Sequence, residues 1–87
     1  DKEGQHATPS EIALTLHLEP TLLEKHHYLP DPAPVGPITN REDFRCRFPD
    51  GRMGSYPHLA KPSHGKLLLQ KASKSLSEDL SQFLLLP

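Results

Sequence analysis

His6 stands just ahead of Thr8, and Glu11 follows Thr8 by three residues. An imidazole whose ordinary pKa lies near neutrality, held beside a carboxylate, can move protons at an amide or a phosphate. The start of a helix adds to this, because unpaired N–H groups there favour negative charge. The same residues also read as architecture alone. Thr8 is a good N-cap, Pro9 suits the first helical position, and Glu11 completes a Thr-x-x-Glu capping box. A loop histidine needs no role, so the chemical and architectural readings stand side by side. The other histidines are weaker candidates. His17 falls on the apolar side of the predicted helix and reads as a satisfied interior or interface residue. His26 and His27 are adjacent and do not face one another on a helix, which argues against a shared metal.

These residues need elements to hold them. Asp1 to Gln5 is polar, contains Gly4, and reads as a loop leading out of an upstream strand. The pattern predicts a helix from Thr8 to about Leu18, with Ile12, Ala13, Leu14, Leu16 and Leu18 spread around most of its circumference. A helix apolar nearly all round belongs inside a larger body than this one. Glu19-Pro20 ends it, and a short helical turn is expected from Pro20 to about Lys25. The span 28–43, with Pro30, Pro32, Pro34 and Pro37, reads as a proline-rich loop, most simply draped over a neighbouring subunit. Phe44-Arg45-Cys46-Arg47-Phe48 alternates apolar and polar side chains and predicts a short half-buried strand, with Arg45 and Arg47 sharing its other face. Pro49-Asp50-Gly51 is a turn signal, and Gly51 and Gly54 bracket Arg52-Met53. Pro62 opens a last helix running to about Leu85. Its apolar stripe is Leu69, Ala72, Leu76, Leu80 and Phe83, suited to covering a sheet or another helix.

Composition sets bounds. With 87 residues, 34% hydrophobic and ten prolines, the chain has little from which to build a core, and marginal stability is expected of it alone. Cys46 is the single cysteine, so no disulfide can compensate, and an unpaired thiol suits a reducing cytoplasm. The net charge of -1, with no stripe of Lys or Arg, argues against nucleic acid as a partner. Nothing approaches the ~20 consecutive apolar residues of a membrane span. The start at Asp1 and the all-round apolar helix suggest the C-terminal part of a longer protein.

Two stretches resemble one family. His6-Ala7-Thr8-Pro9-Ser10-Glu11, followed by an apolar helix and Glu19-Pro20-Thr21-Leu22-Leu23, is similar to the His-Ala-(Gly/Thr)-x-x-Glu segment of the creatininase (creatinine amidohydrolase) family. Arg47 to Ala60, then His64-Gly65-Lys66, resembles that family's Gly-x-x-Gly run before its last helix. The chain departs from the family pattern in three places. Gln5 is neutral where many members carry an acid just before or shortly before the histidine, although Glu3 is near. Tyr56 precedes Pro57 where an Asp is common. No aromatic residue flanks His6 in the sequence.

The resemblance implies an α/β fold: the C-terminal part of a three-layer α/β/α sandwich with a mainly parallel sheet, all of 1–87 belonging to that one domain. It implies hydrolysis of cyclic or linear amide C–N bonds of small molecules, using two divalent metals, Zn or Mn. Their ligands would lie upstream of Asp1 and not in this chain. His6 would be the active-site histidine that handles a proton, and Glu11 the group orienting His6 or a metal-bound water. A homo-oligomer, commonly a hexamer, is the implied assembly. The competing reading is a non-catalytic piece of a degenerate member that serves assembly alone.

Overall fold

The computed structural model describes residues 2–22 and 31–87. Its first helix, α1, spans Pro9–Leu18 and starts as its residue types dictate. Thr8 is extended, its hydroxyl accepts from the Glu11 N–H, and Pro9 occupies the first turn, where a missing N–H costs nothing. The helix stops at Glu19, whose N–H closes on the Thr15 carbonyl at 2.7 Å, and a turn continues through Leu22. The rest of the expected turn, with His26 and His27, lies outside the described residues.

The stretch expected as a strand is a helix. Arg41–Arg47 forms α2, and Phe44 to Phe48 is its second half and C-cap. The Asn40 side chain accepts from the Asp43 N–H at 2.8 Å, and Asp43 in turn accepts from the Thr39 N–H at 3.0 Å. Asp43 also pairs with Arg47 one turn on, at 2.7 Å, which holds its carboxyl below the usual carboxylate range. Arg45 and Arg47 therefore share no face. Both are exposed, and Arg47 is committed to Asp43. Because α2 begins at Arg41, the proline-rich stretch ends sooner than 28–43 suggested. Its described part lies against its own chain: the Pro34 carbonyl accepts from the Gly54 N–H at 2.8 Å, and Ala33 is buried.

A 3-10 turn at Pro57–Leu59 leads into α3, Pro62–Leu84. This helix crosses α1 at Gly65. A Cβ there would sit 1.9 Å from the Ala13 carbonyl oxygen and 2.3 Å from its carbon, so only glycine permits the approach. Ala13 is 1% exposed at the crossing. At 1.5 Å per residue, the 10-residue α1 spans about 15 Å and the 23-residue α3 about 35 Å. The far end of α3 runs beyond its partner, and the stripe expected to cover another element is exposed along its whole length, from Leu69 at 37% to Phe83 at 68%.

The remaining buried residues gather where residues 2–8 meet 48–57. Phe48 and Met53 supply apolar volume, and Thr8, Ser55 and Arg52 are buried polar groups. The Arg52 guanidinium reaches Asp50 and Asp31, each at 2.8 Å, and so ties the proline-rich segment to the glycine-bracketed turn. Among the described residues the strand-like pairing is one antiparallel bridge, His6 with Met53.

Candidate active site

His6 is held by its backbone. The Gln5 N–H donates to the Met53 carbonyl at 2.8 Å, and the Met53 N–H donates to the His6 carbonyl at 3.3 Å. The Ser55 hydroxyl, fully buried, donates to the same His6 carbonyl. Gly4 makes this approach possible. It lies at φ +69°, and a Cβ on it would meet the Met53 oxygen, the Gly54 carbon and the Ser55 nitrogen at 2.5 Å. Ala7 then turns the chain from the bridge into the cap. Its φ of +54° is a left-handed conformation that an L-residue with a Cβ holds at a cost of roughly 1–2 kcal/mol. Such strain concentrates at functional positions.

Pinned this way, the His6 side chain is exposed to solvent. Its ring meets Phe44 edge-on, with centroids 5.8 Å apart and planes at 64°. Phe44 stacks in turn against Phe48 at 5.5 Å, and Phe48 is 1% exposed. No aromatic flanks His6 in the sequence, yet the fold supplies one from α2. That contact depends on the helix that the alternating pattern concealed.

Glu11 takes up the expected capping role. Its Oε2 accepts from the Thr8 N–H at 3.2 Å while its own N–H donates to Thr8 Oγ1 at 3.2 Å, a complete capping box. Its carboxylate bonds to Thr8, not to the His6 ring. Glu3 supplies a second carboxylate that the spacing did not suggest: its Oε1 accepts from the Ser10 N–H at 3.2 Å. The first turn of α1 is thus accounted for donor by donor. Pro9 has none, Ser10 gives to Glu3, and Glu11 gives to Thr8. The helix end is already served by the chain's own oxygens and is not an open anion site.

Hydrogen bonding from Ser10 holds the Glu3 carboxyl below its usual range, against a smaller opposing effect of desolvation. A carboxylate whose folded pKa is depressed adds stability that is fully present above its unfolded pKa and is lost as pH falls through the folded value. Thermal melts of the protein between about pH 6 and pH 3 should show an acid-side loss of stability that Glu3→Gln reduces. An unchanged pH profile in that variant counts against the contact.

Beside the bridge lies a hollow of about 480 Å³, bordered by Gly4, Gln5, Val35, Gly36, Met53 and Gly54. Its size fits a small ligand. Gln5 and Met53, the chain neighbour and the bridge partner of His6, form part of its wall. Among the described residues, no group of three or more His, Cys, Asp or Glu side chains is placed to hold a metal ion. No helix among them is long and apolar enough to cross a membrane.

The family model described as creatinine amidohydrolase matches residues 1–80, which takes in α1, the His6–Met53 bridge, α2 and most of α3. No curated protein sequence matches the chain. A match over nearly the whole length joins both stretches that carried the resemblance. The chain belongs to the creatininase family of amidohydrolases.

Proposed function

We propose that this chain is the C-terminal part of a metal-dependent amidohydrolase that cleaves the C–N bond of a small linear or cyclic amide. It contributes the active-site histidine and the closing helix of a three-layer α/β/α domain. The observation that carries this reading is His6 itself. It matches the histidine of the family's His-Ala segment in the resemblance, its backbone is fixed by Met53 and Ser55, and the residue is exposed to solvent, while its neighbours Gln5 and Met53 line a ligand-sized hollow. Its imidazole takes a proton from the attacking water and returns one to the departing nitrogen, so the amine leaves neutral.

The described residues do not by themselves fit a two-metal centre, since Glu11 is engaged in capping and no ligand cluster forms. By the family resemblance, the divalent ions, Zn or Mn, would be held mainly by residues upstream of Asp1. When bound they polarise the carbonyl and lower the pKa of water. A homo-oligomer in a reducing cytoplasm completes the proposal. A second reading, an assembly piece without catalysis, draws on Glu11, whose carboxylate is fully explained by the capping box.

Metal removal tests the proposal. The full-length protein, assayed for amide hydrolysis with creatinine and a panel of other small amides, should lose activity on dialysis against a chelator and regain it with Zn²⁺ or Mn²⁺. Activity that persists once metal content has fallen to zero refutes metal dependence. No hydrolysis of any amide by the metal-loaded protein favours the assembly reading.

A further inference from the structure

Every hydrogen bond that fixes His6 is made by its backbone, and its ring has no hydrogen-bond partner among the described residues. A side chain so placed has several staggered rotamers available. What the ring does touch is Phe44, edge-on at 5.8 Å. Phe44 is half-buried and has a backing contact of its own. It sits one helical turn before Phe48 and stacks on it at 5.5 Å, and Phe48 is buried. The helix carrying both is fixed at its start by Asn40 and Asp43 and along its side by the Asp43–Arg47 pair. An aromatic wall, backed by the buried Phe48, therefore stands on one side of the imidazole, and the residue is otherwise exposed to solvent. Aromatic edges prefer ring faces, so the contact selects among the rotamers of His6 by geometry as well as by volume.

We infer that Phe44 is a positioning residue for His6: it holds the imidazole in one orientation toward the open side, without touching the reacting atoms. The inference rests on the reading that His6 transfers a proton. Losing one orientation of a proton-transfer group costs rate at constant binding, and a misplacement of about 1 Å is worth up to ~10²-fold.

The experiment uses the full-length protein and three variants, Phe44→Ala, Phe44→Leu and Phe44→Tyr. Leucine keeps most of the volume without the ring, and tyrosine keeps the ring. The first readout needs no substrate: the ring-proton shifts of His6 by NMR, assigned with His6→Gln, together with its rate of modification by diethylpyrocarbonate. Phe44→Ala and Phe44→Leu should lose the ring-current shift of His6 and raise its modification rate several-fold. Phe44→Tyr should restore both. The second readout is hydrolysis of whichever small amide the wild type cleaves: Phe44→Leu should lower kcat ~10–100-fold at unchanged KM, with recovery in Phe44→Tyr. Unchanged His6 shifts and reactivity in Phe44→Leu overturn the inference. So does wild-type kcat in Phe44→Leu when His6→Ala is inactive, and that result leaves the role of His6 intact. A fully active His6→Ala instead removes the reading on which the inference rests. Circular dichroism of the leucine variant guards against loss of fold.

Discussion

His6→Ala is expected to lower kcat about 10²–10⁴-fold on the amide that the full-length protein cleaves, the range typical of a general acid–base group. Metal content and thermal stability should stay close to wild type. The separation follows from how the residue is held. Its structural contacts are the Gln5–Met53 and Met53–His6 backbone bonds and the Ser55 bond to its carbonyl, all of which alanine retains. The imidazole itself is exposed, so truncation leaves no buried void. The lost edge contact with Phe44 is one aromatic pair, worth about 0.5–1.5 kcal/mol. Glu11 provides the contrast. Glu11→Ala removes half of the capping box and should cost about 1 kcal/mol, whereas Glu11→Gln keeps an acceptor for the Thr8 N–H. If Glu11→Gln matches wild type in both stability and rate, the residue is a cap alone. His6→Ala with full activity, or with activity lost only through unfolding, refutes the catalytic assignment.

Gly65→Ala should destabilise the protein, although alanine is the better helix former. The two effects oppose one another. Replacing glycine inside a helix gains about 1 kcal/mol in propensity. Against this, the new methyl would lie 1.9 Å from a backbone oxygen of α1 and 2.3 Å from a backbone carbon. A side-chain tip could swing away, but a helix backbone cannot, so the two helices must separate. Overpacking costs typically 1–3 kcal/mol and occasionally more, and contact with rigid backbone belongs at the upper end. A net loss of about 1–2 kcal/mol is expected for alanine, and a larger one for valine. Urea unfolding of the full-length protein measures both. An alanine variant with a raised Tm would mean that the crossing is looser than described. Because α1 begins two residues after Ala7, its displacement should also disturb the cap at Thr8 and, through it, His6.

How far the sequence was readable depended on whether a signal was local. The start of α1 lay in plain view, because Thr8, Pro9 and Glu11 satisfy neighbouring backbone groups whatever the rest of the chain does. The last helix was equally legible from its long apolar stripe. The strand expected at Phe44 to Phe48 failed for a specific reason. Two aromatics four residues apart fit a period of two and also fit one helical turn, so the alternation did not discriminate. The deciding marks lay just before it, in Asn40 as the cap, in Asp43 reaching back to the Thr39 N–H, and in the Asp43–Arg47 spacing. The contacts of Glu3 with Ser10 and of Phe44 with His6 were not legible, because each pair is brought together through folds in the chain: the left-handed turn at Gly4 in one case, the return of α2 in the other. Gly65 was visible only as part of a motif. Its meaning is a distance to Ala13, which no spacing along the chain encodes.

The Ser55–His6 bond joins residues 49 positions apart. Closing a loop of that length costs an entropy worth roughly 3 kcal/mol beyond a fixed term. A few backbone bonds, a buried hydroxyl and the Arg52 pairs must together exceed that cost. The corner around His6 therefore has no local existence. It comes into being when the two ends of the loop meet, and it dissolves as a unit when they part, even if α1 stays wound beside it. Hydrogen exchange at the Gln5 and Met53 amides thus reports loop opening, while exchange within α1 reports helix melting. The geometry of the histidine belongs to the first of these two processes.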